Sequence, residues 1–246
     1  MAATLALLVP GCGDEDSSDP NRLVVSAASS MSEAIESCAH EFEVAERADV
    51  RLSFGGSDEL AAQIRQGAPV DVYAAANTSL PAELHDEGLL SDPVEFATNE
   101  LVLAVPAGSE IDSVEDAAEQ GVKVIVGSES VPIGAYTREA LTRLPPEREE
   151  AILANVVSNE PDVKGIVGKL TQGAADAGFV YVTDVTAAAG VLTAIDLPRA
   201  MEPEVSYAAG VPTEAAESEL GHEFVRGLTR GPCAEALQEA DFGAAP

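Results

Sequence analysis

From Leu23 onward, short apolar runs alternate with stretches of helical periodicity, and few architectures accept that alternation. LVVSA (23–27), VRLSF (50–54), VDVYAAA (70–76), ELVLAVP (100–106), VKVIVG (122–127), AGFVYVT (177–183) and VLTAIDLP (191–198) read as strands. After the first strand, Met31, Ala34, Ile35, Cys38, Phe42 and Ala45 recur at helical spacing. ELAAQIRQG (59–67) is a helix closed by Gly67. Further helices fit at 113–120, 134–144, 146–154, 163–172, 183–189, 214–229 and 233–240. Strand followed by helix, repeated, predicts an α/β protein with mostly parallel sheets covered by helices. In such sheets ligands bind beyond the carboxyl ends of strands, where helices begin.

The 246 residues make one large domain or two smaller lobes. Their 43 Asp and Glu against 13 Lys and Arg leave a formal net charge of −30. Nucleic acid is a poor partner for such a chain, because no basic stripe can neutralise phosphates. The acidity fits either a solvated surface that keeps the protein soluble or a surface adapted to high salt.

Several expected strand-to-helix junctions carry small hydrogen-bond donors. In SAASSMSEA (26–34), Ser30 and Glu33 have the S-x-x-E spacing of a capping box. In FGGSDEL (54–60), Ser57 is the expected N-cap, with Asp58 and Glu59 in the first turn. Capping alone accounts for either serine. A serine can also accept from a helix N–H and still donate its own proton to an anion, which the helix dipole and first-turn N–H groups favour. Gly55 and Gly56 leave room for close backbone approach. In SESVPIGAYTREAL (128–141), Pro132 stiffens the approach and Gly134 lets the backbone turn, so a contact near Ile133 uses the backbone N–H. Pro161 and Asp162 precede a helix start at Val163, and Tyr181 ends a strand with a phenolic donor or stands as an ordinary core-edge tyrosine.

Enzyme signatures are lacking. His40, His85 and His222 are scattered, and no H-x-x-x-H, C-x-x-C, G-x-S-x-G or P-loop pattern occurs. Carboxylates abound, but no acid–base pair stands out.

At the N-terminus, Ala2–Val9 form an apolar run too short to span a bilayer, followed by Gly11-Cys12 and a polar stretch to Asn21. Apolar run, small residue and cysteine match the end of a bacterial lipoprotein signal, with Cys12 as the lipidated residue and 13–21 as a linker. No Lys or Arg precedes the run and Pro10 lies two residues before Cys12, as a start codon placed inside the signal would give. The other reading is a frayed terminus with an incidental cysteine. With Cys12 assigned to lipid, Cys38 and Cys233 remain, either as a disulfide in an oxidising compartment or as two buried thiols.

The segments AASSMSEAI, FGGSDELAAQIRQGAPVDVYAAA, VPIGAYTREAL, PDVKGIV and GFVYVTDV resemble, in order and near spacing, the periplasmic molybdate-binding proteins of ABC importers. The likeness spans 23–246, and its specificity lies in the combination. It implies a two-lobed type II periplasmic-binding-protein fold, each lobe a sheet flanked by helices, with the oxyanion in the interlobe cleft. It divides the chain into a signal and linker at 1–21, lobe one at 22–98 plus 205–246, and lobe two at 99–204. Residue by residue it implies five donors: the hydroxyls of Ser30, Ser57 and Tyr181 and the backbone N–H groups of Ile133 and Val163. Ile133 replaces a frequent alanine, and Gly56 and Asp58 flank Ser57 where small or hydroxyl residues are usual.

The resemblance further implies a monomer, not an enzyme, without a cofactor and without direct protein ligands to a metal. It also implies capture of molybdate, and tungstate with it, for an ABC permease and its ATPase, by a protein held outside the cytoplasmic membrane by lipid alone. Neutral donors at several helix starts can replace the hydration shell of a dianion, so the site need not be basic. Sulfate and phosphate are the rival ligands. Phosphate keeps a proton near neutral pH and needs an acceptor, for which Asp58 is the local candidate. A sensor that kept the fold without transport is the rival role.

Overall fold

The computed structural model describes residues 21–245. The lipidation expected at Cys12 and the linker up to residue 20 lie outside the described residues. The chain opens with β1 (Arg22–Ala28), α1 (Ser32–Glu46), β2 (Asp49–Gly55), α2 (Ser57–Arg65), β3 (Val72–Ala75), α3 (Ser79–Asp86) and β4 (Val94–Asn99). It continues with β5 (Leu101–Pro106), β6 (Val124–Gly127), α4 (Pro132–Leu141), α5 (Pro146–Ala154), β7 (Val156–Glu160), α6 (Val163–Thr171), β8 (Ala177–Tyr181), α7 (Val182–Ala187) and β9 (Leu192–Asp196). It closes with β10 (Val205–Gly210), α8 (Ser218–Gly227), α9 (Pro232–Glu239) and β11 (Gly243–Ala244).

The strands form two sheets, ordered β11-β4-β10-β3-β1-β2 and β7-β6-β8-β5-β9. The chain leaves the first sheet between β4 and β5 and returns between β9 and β10. Both sheets are mixed, which corrects the expectation of mostly parallel pairing. β1 is parallel to β2 and β3, and β6 to β7 and β8, as strand–helix–strand units require. β4, β10 and β11 pair antiparallel, as does β5 with both β8 and β9. β5 and β10, the strands by which the chain enters each sheet after a crossing, run opposite to the strands built by crossover helices, whereas β4 and β9 run with them.

Sequence periodicity missed α3, β4, β7, β10 and β11. β4 and β10 are rich in small and polar residues, VEFATN and VSYAAG, so neither shows a clear two-residue alternation. α3 carries Pro81 in its first turn, where the missing N–H matters little. The helix expected at 113–120 is a short 3-10 segment, Glu115–Ala118.

One apolar core runs through both sheets. Leu23, Val25 and Ala27 of β1 pack with Ile35, Cys38 and Phe42 of α1, and the Phe42 ring meets Phe224 of α8 edge-on at 5.2 Å between centroids. A disulfide joins Cys38 of α1 to Cys233 of α9 across 195 positions, so the last helix is tied to the first. A smaller cluster, with Leu60, Ile64, Tyr73 and Leu84, lies under α2 and α3. Among the described residues no helix is long and apolar enough to cross a membrane.

Candidate functional site

The carboxyl ends of β1 and β2 and those of β6, β7 and β8 face one another. Between them lies a small cavity. Its wall includes Ser30, Ser57, Ile133, Val163 and Tyr181, so all five expected donors line one cavity. Ser30 and Ser57 follow strands of the first sheet, and the other three follow or end strands of the second.

Neither serine caps a helix, which corrects both capping expectations. The N-cap of α2 is Gly56, and Ser57 is its first helical residue. Its hydroxyl instead accepts the Ala76 N–H at 3.1 Å, while its carbonyl accepts the Tyr73 hydroxyl at 2.7 Å. With the oxygen engaged by Ala76, the Ser57 proton is left for the cavity. Ser30 lies in a 3-10 turn, Ser29–Met31, ahead of α1, whose N-cap is Met31. Glu33 reaches no N-cap group; it bonds the Ser32 hydroxyl at 2.8 Å and the Lys164 ammonium. The Ser30 oxygen lies 3.1 Å from the Tyr207 hydroxyl, and both residues are buried.

In the second sheet's half, α4 and α6 present their amino ends. Pro132 is the first residue of α4, so the Ile133 N–H belongs to the first turn, whose donors have no helical acceptor. Gly134 is helical, and close packing explains it better than a turn: a Cβ there would collide with the carbonyl oxygens of Gly127 and Ser128. Asp162 caps α6 by accepting the Gly165 N–H at 2.9 Å, leaving the Val163 N–H at the helix mouth. Asp162 is the carboxylate lining the cavity; Asp58 does not line it.

Tyr181 is 1% exposed, and its hydroxyl has no hydrogen-bond partner in the protein. A buried unpaired hydroxyl costs about 1–3 kcal/mol. Burial, and then the neighbouring Tyr207, Tyr136 and Asp184, push its ionisation well above the usual range, so it is a neutral donor.

Two contacts bring the halves together at this cavity. A Cβ on Gly56 would collide with the Pro161 carbonyl oxygen, whereas Gly55 meets only the Leu60 side chain at ordinary distance. Lys164 of α6 reaches across to both carboxylate oxygens of Glu33 and lies 3.4 Å from Asp184 Oδ1, whose side chain is fully buried. Burial raises the Glu33 carboxyl, but hydrogen bonds from Lys164, its own backbone N–H and Ser32 outweigh that and hold it below the ordinary range. Burial pushes Asp184 up to about 7 despite Lys164.

Sequence reasoning did not find the polar groups behind the wall. Nothing local marks Asn99 and Tyr207, whose hydrogen bond spans 108 residues. Among the described residues no cluster of His, Cys, Asp and Glu could hold a metal ion. The wall offers neutral hydroxyl and backbone N–H donors beside one carboxylate, Asp162, and such donors can hold an anion reversibly.

A family model described as bacterial extracellular solute-binding protein matches residues 23–242. The molybdate-binding protein ModA of Mycobacterium tuberculosis is 34% identical over 224 residues, covering 89% of this chain and 84% of that protein. A Bacillus subtilis protein named as a putative ABC transporter substrate-binding lipoprotein, YvgL, is 29% identical over 253 residues, covering 99% and 96%. The solved periplasmic molybdate-binding protein of Azotobacter vinelandii superposes with a TM-score of 0.82 at 22% identity, over 91% of this chain and all of that one. The match over nearly the whole described chain places it in the bacterial extracellular solute-binding protein family.

Proposed function

We propose that the protein captures molybdate outside the cytoplasm and delivers it to an ABC importer. The observation that carries this reading is the buried Tyr181 hydroxyl, unpaired in the protein and lining a cavity with two further serine hydroxyls. A dianion seated there gives those protons acceptors and meets the first-turn N–H groups of Ile133 and Val163. The mycobacterial and Azotobacter relatives are named for molybdate. Tungstate, with the same charge and tetrahedral shape, belongs to the same reading. The protein's role is binding and release, without catalysis and without a cofactor.

The transport half of the reading rests on family membership and on the Bacillus relative's name. It includes a permease and ATPase as partners, a monomeric binding protein, and a lipid anchor at Cys12. The moving units are lobe one, 22–98 with 205–246, and lobe two, 99–204. The two sheets and the single pair of crossings between them support that division. Because the donors come from both units, ligand binding favours the arrangement in which the units meet.

Calorimetric titration with molybdate, tungstate, sulfate and phosphate tests the ligand. Submicromolar binding of molybdate and tungstate, with sulfate and phosphate far weaker, is the expected result. A preference for sulfate or phosphate would transfer the site to that anion. Small-angle scattering of the same samples should show compaction on saturation with molybdate.

A further inference from the structure

Behind Ser30, away from the cavity, lies a chain of polar groups with one consistent direction. The Asn99 carbonyl oxygen accepts the Glu100 N–H at 2.8 Å, which fixes which end of the amide faces inward. Its Nδ2 donates to the Thr183 hydroxyl at 3.0 Å and to the Tyr207 hydroxyl at 3.2 Å. Both amide protons are thereby used. Asn99, Thr183, Tyr207 and Ser30 are all buried, so each proton among them needs an acceptor within the network or the cavity.

The Tyr207 proton cannot go to Asn99, whose facing group is a donor. Its remaining neighbour is Ser30 Oγ, at 3.1 Å. Burial, the largest influence, raises the Tyr207 phenol well above its usual range, so the proton stays on the oxygen. The direction is therefore Asn99 to Tyr207 to Ser30. The Ser30 proton cannot be spent on Tyr207 and is left for the cavity. A bound oxyanion with bare oxygens accepts it. An oxyanion that presents its own O–H there would leave two protons facing each other.

We propose that Asn99 and Tyr207 are positioning residues that commit the Ser30 hydroxyl to donate, and so favour fully deprotonated oxyanions over protonated ones. This rests on the reading of the cavity as an oxyanion site. It assigns discrimination against phosphate to two residues that do not line the cavity.

Asn99→Asp reverses the chain while nearly preserving shape. The carboxylate accepts from Tyr207, Tyr207 then accepts from Ser30, and Ser30 presents lone pairs to the cavity. The test is calorimetry at about pH 8, where molybdate, sulfate and phosphate are all dianions and only phosphate carries a proton. Phosphate is read by competition against molybdate. Asn99→Asp should lower the molybdate-to-phosphate affinity ratio by about tenfold or more, with sulfate falling alongside molybdate. The added charge repels three equal dianions alike and leaves the ratio untouched.

Tyr207→Phe supplies the control. Its ring keeps the edge-on packing against Phe242 and Tyr181, but the link between residue 99 and Ser30 is cut. In that background Asn99→Asp should change the ratio by less than about threefold. Should Asn99→Asp not fold, Asn99→Leu removes the fixed donor without charge and should lower the ratio in the same direction by a smaller factor. A parent that binds molybdate, with a ratio unmoved by the substitution at 99 or moved equally in the Tyr207→Phe background, overturns the relay alone. A parent that binds none of the three anions overturns the oxyanion reading and the relay with it.

Discussion

Lys164 of α6 holds both carboxylate oxygens of Glu33 of α1 at 2.9 Å, across 131 positions of sequence and between the halves that flank the cavity. The ammonium also neighbours buried Asp184, so one cation serves two carboxylates, one at the surface and one inside. Lys164→Met should weaken molybdate binding severalfold by removing a contact made only when the halves meet. Exposed pairs contribute at most about 1 kcal/mol, so a larger loss points to Asp184 left without its cation. Titration of Lys164→Met and of Glu33→Gln separates the two: Glu33→Gln should show the smaller effect. Equal affinity of both variants and the parent would remove the contact from the binding mechanism.

Asp184 should give stability a pH dependence of recognisable sign. Its carboxyl is raised to about 7 in the folded protein, mainly by burial. Between the ordinary carboxylate range and that value the native state holds the extra proton, so this group's contribution declines as pH rises. Asp184→Asn keeps an acceptor for the Tyr181 N–H, which Asp184 Oδ2 accepts at 3.3 Å, and does not titrate. The melting temperature of Asp184→Asn relative to the parent should therefore increase from about pH 5 to about pH 8. A difference that is flat or falls over that range is the contrary result.

Ser57→Ala and Tyr181→Phe should separate affinity from stability. Each removes one hydroxyl from a buried dianion, at about 1.5–3 kcal/mol or roughly ten- to hundredfold in affinity. Ser57→Ala also leaves the Ala76 N–H without its acceptor, so the ligand-free protein should lose about 1–3 kcal/mol. Tyr181→Phe removes a hydroxyl that bonds nothing in the protein, so its ligand-free melting temperature should hold or rise. Denaturation and calorimetry on both variants check the contrast.

Gly56→Ala tests the approach of the two halves. The residue has φ −65°, which alanine adopts freely, so local strain is not the issue. The added methyl meets the Pro161 carbonyl oxygen of the facing half. Molybdate affinity should fall about tenfold or more, with little change in ligand-free stability and less compaction in scattering. Gly55→Ala, which meets only a flexible leucine, should bind nearly like the parent.

Reducing the Cys38–Cys233 disulfide should cost about 2–4 kcal/mol, through the greater freedom of the unfolded chain. Urea unfolding with and without reductant measures it. Thiol counting on denatured, unreduced protein should find neither cysteine free.

What the sequence determined by itself is what neighbouring residues decide. The runs at 23–27 and 124–127 became strands because apolar and small residues are continuous there, and 50–54 because Val50, Leu52 and Phe54 alternate with Arg51 and Ser53. Ala34, Ile35, Cys38 and Phe42 line the buried side of α1 turn after turn, and Met31 is buried at its N-cap. The helix starts that carry Ser57, Ile133 and Val163 were legible from glycine, proline and aspartate, whose effects reach only a few residues. The family likeness then brought Ser30 and Tyr181 into the same set.

Tertiary structure decided what depends on strand direction and on register between distant segments. β4 and β10 pair antiparallel because they carry the chain between sheets, a fact that no local alternation encodes. Their pairing places Tyr207 opposite Ala97, near enough to Asn99 for a hydrogen bond, and 177 positions from the Ser30 it also touches. Ser57 looked like a cap from its neighbours, but burial beside Ala76 gave its oxygen a different partner. Gly56 looked like room for a ligand, and it is room for the Pro161 carbonyl. A hydrogen bond is selected by which groups burial leaves together without water, and that is settled only when the sheets have packed.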